Sequence, residues 1–257
     1  MNPFDRLERI IYHYTDLNAL ISILGFEHTT LWASNASFLN DSSELMQGIA
    51  LINKLHPSNL KLEDFKDYYL TSFSNTEDSL VMWNHYGAHG GGCCIGFDYD
   101  AIQKVYGSVC NCCYGEKEAQ DLLKNTLNLI DNGVTTAFGM PQPTPEEQLR
   151  NREISRKLFL QATCLMAKNE AYRHEDETRG YICVPPNQYK YVKFREVNNY
   201  IVPYIQMPLP KDAVKKIVIG PTLNADVTRE SIKRMLEIRG YNLNENEIIR
   251  SKVPYRG

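Results

Sequence analysis

Glu175-Asp176-Glu177-Thr178-Arg179-Gly180-Tyr181-Ile182-Cys183-Val184 is the stretch on which the fold class turns. Upstream of it, from Glu116 to Ala171, the sequence is helical in character, interrupted at Gly139–Pro145 by three prolines and a glycine that mark a linker. From Thr178 to Val184 β-branched and aromatic residues return, the composition of a strand. Further strands follow at Tyr191-Val192-Lys193-Phe194, Tyr200–Met207 and Lys216–Ile219. The order of strands, helices, then strands predicts an α+β fold and argues against a doubly wound parallel sheet.

The N-terminal third supplies the first strands. Ile10-Ile11-Tyr12-His13-Tyr14 reads as a strand, and Asp16 as the N-cap of a helix whose Leu17, Leu20, Ile21 and Leu24 share a face. Gly25 stops that helix. Leu31-Trp32-Ala33 is a short strand and Ser37–Asp41 a loop, followed by a helix over Ser43–Leu55 capped by Asp41 or Ser42. Tyr68–Phe73 is a strand, Ser74–Asp78 a turn, and Ser79–Tyr86 a short aromatic segment of helical character. Gly90-Gly91-Gly92 breaks the chain before a buried strand at Cys93–Phe97, and Val109–Tyr114 forms the next strand. At the far end, a helix over Val227–Arg239 is capped by Asp226 or Thr228 and stopped by Gly240, and Ile248–Val253 closes as an edge strand. These elements are expected to form one domain over 1–257, with a helical insertion at about 116–171.

Bulk properties limit the function classes. The 257 residues carry 28 basic and 31 acidic side chains, a net charge of −3, so no global basic field draws the protein to nucleic acid or anionic lipid. The start, Met1–Arg9, is charged and lacks a signal peptide's apolar core, and no stretch has a membrane helix's length of apolar residues. A cytoplasmic protein with no membrane partner is expected, its seven cysteines reduced.

Reactive side chains fall in three clusters: His13-Tyr14-Thr15; Ser72-Phe73-Ser74 with Asp78, Trp83, His85 and Tyr86; and Tyr172-Arg173-His174-Glu175-Asp176-Glu177-Thr178-Arg179. Each also has a structural reading, as a satisfied strand histidine, hydrogen-bonding serines, core aromatics and a solvated charge run. Strand alternation weighs against the last, because it puts Glu175, Glu177 and Arg179 on one face, where paired like charges are costly. Gly90-Gly91-Gly92 lacks the lysine of a phosphate loop, and there is no Gly-x-Ser-x-Gly elbow. The cysteines have poor spacing for zinc and sit in apparent strands, so no metal is expected, and nothing singles out a nucleophilic thiol. Lys190, Lys193 and Arg195 interleave with Tyr189, Tyr191 and Phe194, a pattern that reads first as an amphipathic strand with an exposed basic face and only second as one that stacks bases and binds phosphates.

The motifs, in order, resemble the DUF2971 family of bacteria and phages, whose label carries no activity. Ile11–Leu20, Ser72-Phe73-Ser74, Asp78–Tyr86, Ile95-Gly96-Phe97, Tyr172-x-x-Glu175-x-Glu177-x-Arg179 and Ile217-Val218-Ile219-Gly220-Pro221 carry the likeness over nearly the whole chain, least clearly from Glu116 to Leu160. The motif order is also similar to the ADP-ribosyltransferase superfamily, in particular DarT-like toxins. That superfamily has a first-strand histidine or arginine, a middle-strand serine or tyrosine, and a glutamate on a late strand. The similarity implies a mixed or antiparallel split sheet with flanking helices, NAD as co-substrate, and transfer of ADP-ribose to RNA, DNA or protein, in a toxin or antiviral effector with an inhibitor or antitoxin partner.

By that resemblance His13 bonds a ribose hydroxyl, Tyr14 and Thr15 help hold the adenosine part, and Ser72 and Ser74 shape the middle-strand support. Trp83 or Tyr86 stacks on nicotinamide. Glu177 is the catalytic glutamate, Glu175 polarises the acceptor, and Arg179 orients the pair or contacts a phosphate. Ser-Phe-Ser departs from the superfamily's common Ser-Thr-Ser. An NAD glycohydrolase and a non-catalytic nucleotide-binding module are the alternatives on the same fold.

Overall fold

The computed structural model describes residues 9–39, 42–131, 144–197, 199–222 and 224–254. The charged start up to residue 8, the Asp41 cap and most of the Gly139–Pro145 linker lie outside them. The chain packs as two compact units, one of Met1–Asn35, Tyr68–Asn111 and His174–Gly257, the other of Ala36–Asp67 and Cys112–Arg173. The helical run expected as an insertion at about 116–171 thus forms its unit together with Ala36–Asp67.

The first unit is built on a mostly antiparallel open sheet. Its strands are β1 (Ile10–Thr15), β2 (Thr29–Asn35), β3 (Tyr68–Ser74), β4 (Cys93–Asp98), β5 (Ser108–Asn111), β8 (Glu177–Cys183), β9 (Lys193–Val197), β10 (Tyr200–Leu209), β11 (Val214–Ile219) and β12 (Ile248–Arg250). Along one path the order is β12-β11-β4-β1-β3-β2-β10-β9, with β8 on β3 and β5 on β8. β12 lies parallel to β11 at the edge. Helices α1 (Leu17–Ile23), α3 (Leu80–His85), α4 (Tyr99–Tyr106) and α7 (Ala225–Arg239) flank it. The fold is α+β, as the element order predicts.

Strand alternation sorts the side chains into two cores. Ile11, Phe73, Cys93, Ile95, Phe97, Ile217 and Ile219 join one cluster with Leu20, Leu24, Ile102, Tyr106, Ile232 and Leu236 of α1, α4 and α7. Their neighbours one residue along, Tyr12, Tyr14, Cys94 and Val218, form a second cluster with Met82 and Trp83 of α3. A shift of one residue in any of these strands would exchange the two sets. Phe73 is the hinge of the first cluster, with ring contacts at 6.2 Å to Phe97 and 6.4 Å to Tyr106. Tyr106 lies on the β8 backbone at Gly180, where a Cβ would stand 3.0 Å from the ring, and its hydroxyl shares a 2.6 Å hydrogen bond with Thr71.

Local differences have local causes. Val109–Tyr114, expected as one strand, is divided at Cys112: β5 joins the large sheet, and β6 (Cys113–Tyr114) pairs in parallel with β7 (Ala167–Lys168) in the second unit. Tyr191 sits in a 3-10 turn, Pro186–Tyr191, opened by Pro185-Pro186, so the strand expected at Tyr191–Phe194 begins at Lys193. α7 starts at Ala225, which puts Asp226 inside its first turn rather than at the cap. Asp16 does cap α1, its carboxylate accepting from the Ala19 amide at 2.7 Å.

The second unit holds α2 (Ser42–Leu55), α5 (Gly115–Asp131) and α6 (Pro145–Met166) with the β6–β7 pair. α6 begins with a capping box between Thr144 and Glu147, and Lys168 pairs with Glu44 at 3.1 Å. No helix among the described residues is long and apolar enough to cross a membrane.

Removing the Phe73 ring should empty the contact between His13, Phe97 and Tyr106. Phe73→Ala is expected to destabilise the fold by about 3–5 kcal/mol; urea unfolding that shows less than about 1 kcal/mol would place Phe73 outside the core.

Candidate functional site

The sheet brings the three expected motif strands together. β3 accepts β8 along its whole length, from Tyr68↔Cys183 to Ser74↔Glu177. Its other edge is shared: Tyr69 and Leu70 pair with β2, and Ser74 pairs with Tyr12 of β1. β1 is paired over all six residues with β4 on its other edge, while on the β3 side Tyr12 is its paired residue. His13 is the next residue along. Its Nδ1 lies 3.0 Å from the Ser72 carbonyl oxygen. A carbonyl can only accept, so Nδ1 carries the proton and Nε2 of the neutral ring keeps its lone pair. Burial holds the His13 pKa below the ordinary histidine value, against the smaller opposing effect of the Ser72 hydrogen bond.

Directly opposed residues share a sheet face, so Tyr12, Ser74 and Glu177 line up across three strands on one face, with Ser72 and Arg179 beside them. On that face Arg179 Nε and Nη2 donate to the two Glu177 carboxylate oxygens at 2.7 and 3.0 Å, a two-pronged ion pair with both side chains buried. His13 belongs to the other alternation, with Ile11 and Phe73, and its ring meets Phe73 edge-on at 6.0 Å. The imidazole and the Glu177 carboxylate therefore flank the β3 backbone at Ser72–Ser74 rather than facing each other.

Glu175, expected on the same strand as Glu177, precedes β8 in a 3-10 turn. It is buried, and its carboxylate accepts from the Tyr86 hydroxyl at 2.8 Å. The Ser74 hydroxyl donates to the Glu175 carbonyl at 2.7 Å, and the next residue, Asp176, takes a positive φ of 42° where the Asn75 amide bonds its carbonyl. Ser74 thus fixes the approach of the acidic segment. Ser72 is exposed and paired in register with Arg179. The third cluster divides between the units: Tyr172 and Arg173 lie in the second, where Arg173 pairs with Glu118 at 2.8 Å.

Trp83 does not offer a stacking face. It is fully buried, edge-on to Tyr14 at 4.8 Å, and its indole N–H donates to Asp78 at 2.6 Å. Tyr14 spends its hydroxyl on the Thr76 carbonyl at 2.9 Å and the Ser79 amide at 3.1 Å. Thr15 is buried at the end of β1, its carbonyl where a Cβ on Gly92 would fall. Tyr86 is exposed, as is the neighbouring His85. The sequence reading missed that His85 and His174 bring their rings within 6.4 Å beside the Tyr86–Glu175 bond. It also missed Asp78 as the anchor that accepts from Trp83, Ser251 and the Lys252 amide, because no local pattern links positions so far apart. Burial raises the thiol pKa of Cys93 and Cys94, the behaviour of core residues rather than nucleophiles. Among the described residues, no three His, Cys, Asp or Glu side chains are grouped to hold a metal ion.

Residues 82–180 match the model of a family described as Protein of unknown function (DUF2971). The match takes in Trp83, Tyr86, Glu175, Glu177 and Arg179 and supports the resemblance to DUF2971 there; His13–Thr15 and Ser72–Ser74 lie outside it. No curated protein and no solved structure matches the chain.

Two outcomes follow from this geometry. Glu177→Gln removes the carboxylate that forks with the buried Arg179 and should cost about 3–5 kcal/mol, most of it recovered in the Glu177→Gln, Arg179→Met double variant; equal losses in both would show that the pair does not act as a unit. His13 has its pKa lowered on folding, so its contribution to stability is full above about 6.5 and is lost as the pH falls toward the lowered value. The stability difference between wild type and His13→Gln should shrink between pH 7.5 and 5, and a pH-independent difference would contradict the assignment.

Proposed function

We propose that the β1–β3–β8 site cleaves NAD at the nicotinamide–ribose bond and transfers ADP-ribose to a macromolecule, nucleic acid or protein. The carrying observation is the strand order. A histidine strand and a glutamate strand more than 160 positions apart flank the same Ser-Phe-Ser strand, as the resemblance to ADP-ribosyltransferases implies. In this reading NAD lies on the Glu177 side of the sheet with the Ser72 side chain near it, and His13, on the opposite face, acts through its Nδ1 bond to the Ser72 carbonyl rather than on the ribose itself. Tyr86 is the ring that stacks on the flat cationic nicotinamide. Breaking the glycosidic bond develops positive charge on the anomeric carbon, as in glycoside hydrolysis, and the Glu177 carboxylate supplies the opposing charge. Glu175, oriented by Tyr86, polarises the acceptor, and Arg179 holds Glu177.

One observation favours a second reading. The Glu177–Arg179 fork already satisfies the glutamate, which suits a non-catalytic module that binds a nucleotide without turnover. Incubating the protein with NAD labelled in its ADP-ribose part and with RNA, DNA and protein acceptors separates the readings. Label on an acceptor is expected, falling about 100-fold or more in the Glu177→Gln, Arg179→Met variant, whose fold is restored. Label passing only to water would mark a glycohydrolase. Intact NAD under all conditions would end the enzymatic reading in favour of the binding module.

A further inference from the structure

At the other end of the large sheet, β2, β10 and β9 present a face that the NAD-cleaving reading does not use. Register places Trp32 and Ser34 of β2, Tyr200, Tyr204 and Gln206 of β10, and Lys193 and Arg195 of β9 on this one face. The Arg195 guanidinium lies 5.3 Å from the Trp32 ring and 5.7 Å from the Tyr204 ring. Its Nη2 donates to the Ser34 hydroxyl at 2.8 Å, while its Nε is buried without an acceptor. Among the described residues no carboxylate pairs with it, and Glu196, the acid of β9, alternates to the opposite face. A partly desolvated cation with unused donors and no counter-charge is a site that an anion completes. Around it stand Lys193, also exposed, and two aromatic side chains, Trp32 and Tyr200, each 38% exposed.

We propose that this face binds single-stranded nucleic acid: Arg195 and Lys193 take backbone phosphates, and Trp32 and Tyr200 receive unstacked bases. Strand alternation assigns the roles differently from the sequence pattern. The rings beside Arg195 come from β2 and β10 and stack on each other at 4.6 Å, whereas Phe194 points to the opposite face and Tyr189 and Tyr191 lie in the preceding turn. A flat cation against a ring pair with further exposed rings near it suits a ligand that alternates phosphates with flat bases, and suits neither a duplex with its bases stacked inside nor an acidic peptide.

The test uses the full chain without NAD, so its outcome is independent of the catalytic reading. A fluorescent single-stranded oligonucleotide titrated at low salt should bind, with log Kd rising by about 1.4 per decade of salt, the slope for two neutralised phosphates. The protein has two tryptophans and Trp83 is fully buried, so quenching of intrinsic fluorescence on binding reports Trp32. Arg195→Gln should weaken binding about tenfold at an unchanged melting temperature. Should that variant unfold, Lys193→Gln, at an exposed position, should weaken it several-fold and lower the salt slope. No binding at low salt, no change in either folded variant, or equal binding of duplex, heparin or polyglutamate would overturn the proposal.

Discussion

Ser74 pairs on both edges, with Tyr12 on one side and Glu177 on the other, and its hydroxyl holds the Glu175 carbonyl. The arrangement of the candidate site depends on that one residue position. If β3 slid by one residue against either neighbour, the aligned Tyr12, Ser74 and Glu177 would fall on opposite faces, and the approach to β8 would lose its anchor. A slip against β8 would also put the side chains of Ser72 and Ser74 on the face away from the buried Glu177–Arg179 pair, which β8 holds together by itself.

How little of β1 pairs with β3 matters as much as where they meet. β1 pairs with β4 along its whole length on one edge but with β3 at Tyr12 on the other, and β2 takes the far part of that β3 edge. Backbone groups beyond these pairs need other partners, and the His13 imidazole supplies one for the Ser72 carbonyl. The same bond fixes the tautomer and leaves a basic nitrogen directed away from the strand. One side chain therefore closes the sheet locally and presents a hydrogen-bond acceptor.

Much of the architecture was legible in the sequence. The α+β class followed from element order, the Asp16 cap and the α3 segment from local chemistry, and the strands at Ile10–Tyr14 and Cys93–Phe97 from their composition. Strand alternation placed Glu177 and Arg179 together. What it could not supply was their mutual neutralisation, since a run of charges reads the same whether its members face solvent or each other. Trp83 was misread as a stacking candidate for a related reason: an aromatic on a short helix shows no local sign of whether Asp78 has captured its indole.

The sequence by itself determined which residues alternate on which strands, where helices start, and which chemical groups the chain carries, because these depend on neighbours within a few positions. Tertiary structure alone decided that β3 lies between β1 and β8, that helices from 112–173 pack with 36–67, and that Arg195 rests against the stacked Trp32 and Tyr204 rings. Those outcomes turn on which distant strand satisfies a given row of backbone donors and acceptors. Any strand of suitable length offers the same row, so the choice is made by packing of whole faces and is not written at any single position.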